Sequence, residues 1–525
     1  MNGMKVTRRG FLGTAAAALV AGCEHGARTY SGSILGAGAV LGHRVRDGGL
    51  PVPTETEETG VVIVGGGIAG LAAARRLHRH GRRDFVLLEL EPTVGGNATS
   101  GRNAVSAYPW GAHYLPLPND EATEVRELLE ELGLITGKAP DGTPTFQEEA
   151  LCADPMERLF DCGRWQEGLV PLLGISAEDR AQYARFAAQT EALRQTRGTD
   201  GLPAFAIPID RSSRDFLPLD QMTMAAWMDR EGYTSAPLRW QVDYSCRDDY
   251  GAGAAQVSAW AGLHYFASRR GRAANASRDA VLTWPEGNGW LAARLADPVR
   301  DRIRTGCAVF AIDPDGAAVD YFLPAENRSR RLRAKAVVCC APRFVAQHLV
   351  RGLPPAAGLA YSPWMVANVT LDALPAGRGT ALAWDNVIRD SRSLGYVVAT
   401  HQSLQQVPHQ TVLTHYWPLD EGTPADARSR ALARTHAEWC RQIVADLQLG
   451  HPGVEEHIRN IDVWLWGHGM IRPVPGFISG ATRVTMRQPF GRVHFAHSDQ
   501  SGISIFEEAY TRGVEAADTI LSTLA

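Results

Sequence analysis

A glycine-rich turn that begins at residue 65 constrains the fold of this chain more than any other feature. Four consecutive valine and isoleucine residues, 61–64, predict a short buried strand, and residues 71–77 have the composition of a helix. Between them stands Gly65-Gly66-Gly67-Ile68-Ala69-Gly70. Gly65 allows a tight turn, Gly67 lets the backbone approach phosphates, and Gly70 lets helix and strand pack closely. With the unpaired N–H groups of the helix N-terminus, this turn predicts a site for a dinucleotide pyrophosphate.

The next apolar strand, residues 85–88, ends at an acidic residue. Glu89 lies nineteen residues after Gly70, which is the spacing of the carboxylate that accepts from the adenosine ribose. Six residues further on stand Gly95 and Gly96. An acid followed at this distance by Gly-Gly resembles the start of FAD-binding flavoproteins of the amine oxidase superfamily. That superfamily includes monoamine and polyamine oxidases, protoporphyrinogen oxidase and phytoene desaturases, and the resemblance implies FAD as the cofactor.

The resemblance also implies an α/β fold, in which a discontinuous Rossmann-like FAD-binding domain carries an inserted α+β substrate domain. At 525 residues the chain is long enough for two domains. We expect the FAD-binding domain to comprise residues 60–115, 281–345 and 480–525. The substrate or cap domain is then expected to comprise residues 116–280 and 346–479.

Segments late in the chain extend the resemblance. Residues 491–499 resemble the last strand of the family, which implies that Asp499 contacts the FAD ribityl chain. The helix that follows Ser504 and Ile505 would point its N-terminus at the flavin pyrimidine ring, where it stabilises the charge of reduced flavin. An ordinary amphipathic terminal helix is the alternative. Residues 305–312 resemble the strand whose valine backbone meets the adenine, which gives that role to Val309.

Three candidate residues lie in two aromatic segments. Flavin accepts the hydride at N5, so the sequence need not show an acid–base constellation. Residues 108–114 resemble the segment that runs past the isoalloxazine ring, which places His113 and Tyr114 beside the flavin. A neutral His113 could take a proton or position a water there, and the alternative is a histidine hydrogen-bonded in the core or to the cofactor. Residues 464–473 resemble a stretch near the active site, in which Trp466 would line the cavity and His468 and Arg472 are candidate substrate contacts.

Two aspartates follow one another in the densest polar and aromatic cluster of the first insert. Asp248 and Asp249 stand shortly before the aromatic residues of the segment 258–265. Paired carboxylates beside aromatic rings could bind a cationic amine by charge and cation–π contact. The alternative is the start of a solvated helix with a capping aspartate.

Several positions depart from the family. Asn97 stands where arginine usually follows Gly-Gly, and Arg102 is the candidate substitute; both are expected to contact the cofactor. His497 replaces a glycine. The active-site lysine of the amine oxidases would fall near Ala367 and Asn368, and neither is lysine. The C-terminal cage tyrosine has no counterpart. These departures weaken the amine oxidase interpretation and leave the FAD interpretation intact.

The first 23 residues predict an address signal. Thr7-Arg8-Arg9-Gly10-Phe11-Leu12 resembles the twin-arginine export signal, and Val20-Ala21-Gly22-Cys23 resembles a bacterial lipobox. The resemblance implies export by the twin-arginine translocase, lipidation of Cys23, attachment to a membrane and a location in the periplasm or cell envelope. Residues 24–59 are then expected to be a tether. The alternative is a cytoplasmic protein with a chance Arg-Arg pair.

Composition excludes other partners and sites. The net charge is −4, and no basic stripe indicates nucleic acid. There is no Cys-x-x-Cys pair and no zinc spacing, so no metal centre is predicted. The cysteines are expected to be mostly free and buried, and a bridge between Cys152 and Cys162 stays open. In the second insert we predict strands over 364–371, 395–400 and 411–417, and a long helix over 424–449.

The sequence therefore predicts an exported FAD-dependent oxidoreductase that removes a hydride from the C–N bond of an amine. A desaturase of a hydrophobic substrate, a flavin-dependent isomerase and a non-catalytic flavin-binding envelope protein are the alternatives.

Overall fold

The computed structural model describes residues 28–403 and 409–524. The first eleven strands are β1 Ile34–Gly36, β2 Glu55–Glu58, β3 Val61–Val64, β4 Phe85–Leu88, β5 Ser100–Arg102, β6 Ala107–Pro109, β7 Tyr114–Pro116, β8 Ile135–Lys138, β9 Pro144–Phe146, β10 Glu157–Asp161 and β11 Arg164–Glu167. The later strands are β12 Val281–Thr283, β13 Ile303–Arg304, β14 Ala308–Asp313, β15 Ala318–Leu323, β16 Arg328–Arg333, β17 Ala336–Cys339, β18 Tyr361–Leu371, β19 Asp385–Ile388, β20 Tyr396–Val398, β21 Thr411–Pro418, β22 Ile458–Ile471 and β23 Val493–Phe495.

The helices alternate with these strands in the first third of the chain and cluster in the inserts. They are α1 Ala39–Asp47, α2 Ile68–Arg79, α3 Thr123–Glu131, α4 Ala177–Gln195, α5 Met224–Arg230, α6 Ala236–Tyr250, α7 Ala259–Ala267, α8 Gly289–Ala296, α9 Arg343–Leu349, α10 Pro424–Ala433, α11 His436–Gly450, α12 Ala481–Thr485 and α13 Phe506–Thr523.

A five-stranded parallel sheet holds the glycine-rich turn. Its order is β13-β4-β3-β17-β23, and every neighbouring pair is parallel. All four residues of β3 are buried, as expected of a strand covered on both faces. The predicted strands at 61–64 and 85–88 and the helix after the turn are confirmed. This sheet is the Rossmann-like part of the predicted α/β fold.

The last helix of the chain lies directly on the helix that follows the turn. A Cβ added to Gly513 of α13 would stand 2.1 Å from the carbonyl oxygen of Ala69 in α2. Only a glycine permits this approach of the two backbones. The contact brings the start of α13 back to the strand ends of the parallel sheet.

The largest sheet of the described residues has eight strands, in the order β1-β22-β18-β21-β20-β19-β10-β11. The strands predicted at 364–371, 395–400 and 411–417 correspond to β18, β20 and β21. The single helix predicted over 424–449 is wrong, because the chain breaks into α10 and α11. Thr435 starts the second helix with a capping box, in which its hydroxyl accepts from the Glu438 N–H and the Glu438 carboxylate accepts from the Thr435 N–H.

The segment 24–59, expected to be a tether, is incorporated into the fold over its described part. β1 pairs with β22 at the edge of the eight-stranded sheet, and β2 pairs with β16 in the four-stranded sheet β14-β15-β16-β2. The acidic strand β2 lies against arginines, with Glu57 2.8 Å from Arg304 and Glu55 3.2 Å from Arg330. Sheet edges pair through backbone groups, and the opposite charges select this partner.

The described residues contain no helix long and apolar enough to cross a membrane. The described cysteines form no disulfide, and Cys152 and Cys162 are both free. The adjacent pair Cys339 and Cys340 is buried at the end of β17, as predicted. The predicted export signal and lipobox, including Cys23, lie outside the described residues.

Candidate cofactor cradle and substrate cavity

The two glycine motifs meet in one cradle at the carboxyl end of the parallel sheet. Gly65 has a φ of +103°, and its N–H donates to the carbonyl oxygen of Leu88 at 2.8 Å. Helix α2 begins immediately after Gly67. A Cβ on Gly70 would stand 1.9 Å from the Gly65 carbonyl oxygen, so this position admits only glycine. The Gly95 N–H donates to the Gly66 carbonyl oxygen at 2.9 Å, which places Gly95 and Gly96 beside Gly67.

Glu89 closes one end of this cradle. Its side chain is 8% exposed, and its two oxygens accept from the Gly66 N–H at 2.5 Å and the Glu91 N–H at 2.8 Å. Burial raises the pKa of Glu89, and these two backbone donors oppose that rise. Each carboxylate oxygen still has an acceptor position for a ribose hydroxyl. The geometry therefore fits a dinucleotide whose pyrophosphate lies at the start of α2 and whose ribose lies at Glu89.

Asp499 lies in a buried turn after β23. Its Oδ2 accepts from the Tyr361 hydroxyl at 2.6 Å and from the Arg343 N–H at 2.8 Å. Burial alone would raise the pKa of Asp499, but His497 and these donors outweigh it and hold the pKa below its usual range. The carboxylate is therefore ionised and fixed in orientation. Its predicted contact with the ribityl chain stays a prediction.

The other predicted cofactor residues occupy different places. The side-chain amide of Asn97 donates to the Gly469 carbonyl oxygen at 2.5 Å, and Asn97 lines the cavity described next. Ser504 and Ile505 line the same cavity, with Ile505 as the N-cap of α13. Arg102 is exposed and lies 3.3 Å from Glu286, and Val309 is buried in β14.

A cavity of about 160 Å³ extends from Asn97, the residue after Gly96 of the cradle, to the eight-stranded sheet. The predicted residues His113, Tyr114 and Trp466 all line it. Its walls combine aromatic rings with carboxylates: Tyr114, Tyr244, Trp364, Tyr416, Trp466, Asp248, Asp249, Asp385 and Glu507. The structure thus brings together both sets of residues that sequence reasoning had singled out separately.

His113 is held as a neutral imidazole. Its ring stacks on Tyr416 with 4.5 Å between centroids, and its Nδ1 lies 3.3 Å from the Gly111 carbonyl oxygen. Burial lowers the pKa of His113 to about 4. With Nδ1 directed at a carbonyl, the neutral ring carries its hydrogen there and leaves Nε2 as an acceptor. The neighbouring wall is rigid, because the Trp466 indole donates to the Trp110 carbonyl oxygen at 2.6 Å.

Asp248 and Asp249 are at the end of helix α6, where they face the cavity. The alternative of a solvated helix start is wrong, since α6 begins at Ala236 after its N-cap Ser235, and both aspartates lie in its last turn and line the cavity. Asp249 accepts from Arg269 at 2.8 Å, and Arg269 also donates to the Tyr114 hydroxyl at 3.1 Å. Burial and, to a smaller extent, the negative charge of the neighbouring Asp249 raise the pKa of Asp248 to about 7.

Sequence reasoning missed two further acids at this cavity. Asp385 on β19 lines it, and burial, followed by the charge of Glu157, raises the pKa of Asp385 well above its usual value. Glu507 in the first turn of α13 is 2% exposed, and burial raises its pKa to about 7. Within the described residues no three His, Cys, Asp or Glu side chains converge closely enough to hold a metal ion. A signal for Glu507 was present, because acids favour the first turn of a helix; Asp385 carried none.

Three other positions singled out from the sequence lie elsewhere. His468 stacks on Phe344 with 4.2 Å between centroids, and Arg472 donates to Ser362 and Gln256; neither lines the cavity. Asn368, at the expected lysine position, donates to the Pro109 carbonyl oxygen and accepts from Thr414. It is a buried hydrogen-bonding residue that fixes β18 against the segment leading to His113.

Comparison with known proteins places these features in context. A family model described as an NAD(P)-binding Rossmann-like domain matches residues 63–132. The chain is 24% identical over 290 residues to "Oxidoreductase PigB" of Serratia sp. (strain ATCC 39006), which covers 51% of this chain and 41% of that protein. It is 28% identical over 267 residues to the "Putative flavin-containing monoamine oxidase AofH" of Mycobacterium tuberculosis, which covers 49% of this chain and 52% of that protein. The chain thus spans about half the length of these curated relatives.

Solved structures share the fold over most of the chain. A putrescine oxidase matches with a TM-score of 0.66 at 17% identity, covering 89% of this chain and 100% of that one. The chain therefore has the predicted fold, a Rossmann-like α/β domain with a second α+β layer system.

Proposed function

We propose that this protein is an FAD-dependent oxidoreductase that oxidises an amine. One observation carries the proposal: the cavity next to the dinucleotide cradle is lined by carboxylates and aromatic rings. Arg269 is the only arginine or lysine among the described lining residues, and Asp249 neutralises its charge. Such a cavity attracts an organic cation. The names of the relatives, a flavin-containing monoamine oxidase and a putrescine oxidase, support the same cofactor and substrate class.

The residues of the cradle would hold FAD, which supplies a hydride acceptor when bound. Gly65, Gly67 and Gly70 shape the phosphate turn, with Ile68 and Ala69 at the helix start, and Glu89 would receive the ribose. Asn97, Ser504 and Ile505 stand where the cradle opens into the cavity. The start of α13, set by its contact with α2, directs N–H groups and a positive dipole end at this junction.

The cavity residues would bind and orient the substrate. Asp248 in its ionised form would attract the substrate ammonium group, Asp385 would accept a hydrogen bond from it, and the rings of Tyr244, Tyr416 and Trp466 would exclude water around its carbon atoms. His113 is neutral at physiological pH, because burial lowers its pKa to about 4. Its Nε2 can therefore accept a hydrogen bond from the substrate nitrogen or position a water, whereas so low a pKa makes it too weak a base to deprotonate an ammonium group.

The first test is a visible absorption spectrum of the purified protein, recorded again without oxygen after a panel of amines is added. Oxidised-flavin bands that bleach with an amine, and bleach less in Asp248→Asn, establish cofactor and substrate class together. Bands that no amine bleaches would reject the amine and favour a desaturase, an isomerase or a non-catalytic flavoprotein. No flavin band after FAD is supplied would reject the cofactor.

We propose further that the protein is exported by the twin-arginine translocase and anchored to a membrane through Cys23. The sequence of residues 7–23 supports this, although it lies outside the described residues. Ser31, eight residues after Cys23, pairs with Asn460 at the edge of the eight-stranded sheet. At about 3.5 Å per residue, a lipid on Cys23 would lie within about 28 Å of that edge. Metabolic labelling with a radioactive fatty acid tests this: label incorporated by the natural chain and lost in Cys23→Ala supports the anchor, and label in neither contradicts it.

A further inference from the structure

We propose that residues 34–58 act as a strap that closes over the adenosine end of the dinucleotide cradle and retains the bound dinucleotide. The inference rests on the proposed FAD site and extends it to a segment outside the glycine motifs. The strap consists of β1, helix α1 and β2, with the connections between them.

The strap contacts the ribose-binding end of the cradle through one intermediate residue. The Gly38 N–H donates to the Glu91 carboxylate at 2.5 Å, and the Glu91 N–H donates to the Glu89 carboxylate at 2.8 Å. Glu89 is the acid that this type of cradle directs at the adenosine ribose. The strap therefore passes within two hydrogen bonds of the group that would hold the ribose.

Helix α1 lies against the strands that flank this end. The Arg44 guanidinium lies over the Phe322 ring at 4.7 Å from its centroid. Val45 packs on the apolar cluster that contains Leu88, the residue before Glu89, and Val309 of β14. These contacts place the helix on the strand ends from which the adenosine site is built.

Both ends of the strap are anchored, each in a different sheet. β1 pairs in parallel with residues 463–465 of β22, and β2 pairs in parallel with residues 330–333 of β16. Glu57 of β2 also binds Arg304, with oxygen–nitrogen distances of 2.8 and 3.2 Å. Arg304 lies on β13, paired in register with Leu88 of β4, and its carbonyl oxygen accepts from the Glu89 N–H at 2.9 Å, so this ion pair ties the strap to the strand that contacts Glu89.

The part between the anchors is weakly held. Helix α1 has nine residues and none of them is buried, and a helix of this length is marginal without tertiary contacts. Weakly packed segments open locally while the rest of a protein stays folded. Opening of α1 therefore gives the dinucleotide a path out of the cradle that does not require global unfolding, and the contacts of Arg44 and Val45 set how often it opens.

The rate of flavin release from the full-length, flavin-loaded protein tests the strap. The double variant Arg44→Ala, Val45→Ser removes the two side-chain contacts described above, while Val40→Ser changes a residue of the same helix that is 88% exposed. After dilution, the rise in free-flavin fluorescence should be about tenfold faster in the double variant, the rate effect of about 1.4 kcal/mol, and unchanged in Val40→Ser. Glu57→Gln, which weakens only the β2 anchor, should accelerate release in the same direction by a smaller factor.

Equal release rates in the natural protein and in the double variant would overturn the strap, while the bound flavin itself would uphold the proposed cofactor. A chain that takes up no FAD would instead overturn the proposed function and the strap with it. If the double variant does not fold, the release rate of Glu57→Gln decides: a rate equal to that of the natural protein rejects the proposal.

Discussion

Glu157 and Asp385 lie directly opposite each other on the neighbouring parallel strands β10 and β19. Residues at paired positions of adjacent strands point to the same face, so two ionised carboxylates here repel each other. Burial raises the pKa of both groups. The arrangement is costly without a proton or a cation between the side chains, and it lies beside Asp248 at the proposed substrate cavity. A cationic substrate would relieve this repulsion.

Asp248→Asn should weaken the binding of organic cations. The substitution keeps the size of the side chain and removes the charge, and losing one partner of an enclosed charge pair costs about 2 kcal/mol or more, which is roughly 30-fold in the dissociation constant. Isothermal titration with a quaternary alkylammonium ion, which cannot lose a proton, measures this directly. Asp315→Asn makes the same chemical change at an exposed turn and should leave the dissociation constant unchanged. Equal affinity in the two variants would contradict the role of Asp248.

Cation binding should strengthen as the pH rises through about 7. Burial, followed by Asp249, raises the pKa of Asp248 to about 7, so the ligand-free protein holds a neutral carboxyl group below that pH. The quaternary ion keeps its charge at every pH, so only the protein side titrates. The dissociation constant measured between pH 5.5 and 8.5 should fall with rising pH in the natural protein and fall less in Asp248→Asn. A constant affinity over this range would show that Asp248 does not titrate there.

The ligand-free protein should lose stability as the pH rises from about 4 to 7. An unfolded aspartate releases its proton near pH 3.9, whereas the pKa of folded Asp248 is about 7. The folded state therefore binds more protons in this window, and the free energy of unfolding falls with rising pH. Urea unfolding at pH 5 and pH 7.5 measures the difference, which should be smaller in Asp248→Asn. A difference that the substitution leaves intact would assign the effect to other groups, such as Glu507.

Gly70→Ala should abolish stable flavin binding. The added Cβ would stand 1.9 Å from the Gly65 carbonyl oxygen, so the turn and helix α2 must move apart. Gly137→Ala is the control, since it adds the same methyl group at a glycine of β8 outside the cradle and the strap, where the new Cβ meets nothing within 4 Å. The flavin content of the two purified variants, read from the ratio of visible to ultraviolet absorbance, checks the prediction. Full flavin occupancy in Gly70→Ala would refute the assignment of the cradle.

Cys162 should be the fastest-reacting thiol among the described cysteines. It is exposed and free, whereas Cys152 is half-buried and burial raises its pKa. Titration of the folded protein with a chromogenic disulfide should show one rapid phase that Cys162→Ser removes. A natural protein without that phase, which regains it after mild reduction, would indicate a bridge that the structure does not contain.

The cradle could be predicted from the sequence because its determinants are local. Gly65, Gly67, Gly70 and Glu89 lie within 25 consecutive residues, and each is required by the conformation or chemistry of its own position. The strand, the turn and the helix follow from periodicity and from backbone freedom, and neither depends on distant contacts. Asp248 and Asp249 could likewise be recognised from the sequence as an adjacent acidic pair, but their position at the cavity could not.

The tertiary structure alone decided the composition of the cavity. Asp248 is carried by α6, Asp385 by β19 and Glu507 by α13, and no spacing in the sequence relates these elements. The tertiary structure also decided that residues 34–58 pair with two sheets, because sheet edges pair through backbone N–H and C=O groups that nearly every residue carries, and the sequence does not reveal that pairing. The sequence determined that a dinucleotide cradle forms, since local conformation dictates it. Long-range packing of strands and helices determined which acidic side chains meet at the cavity, and the proposal of a cationic substrate rests on that arrangement.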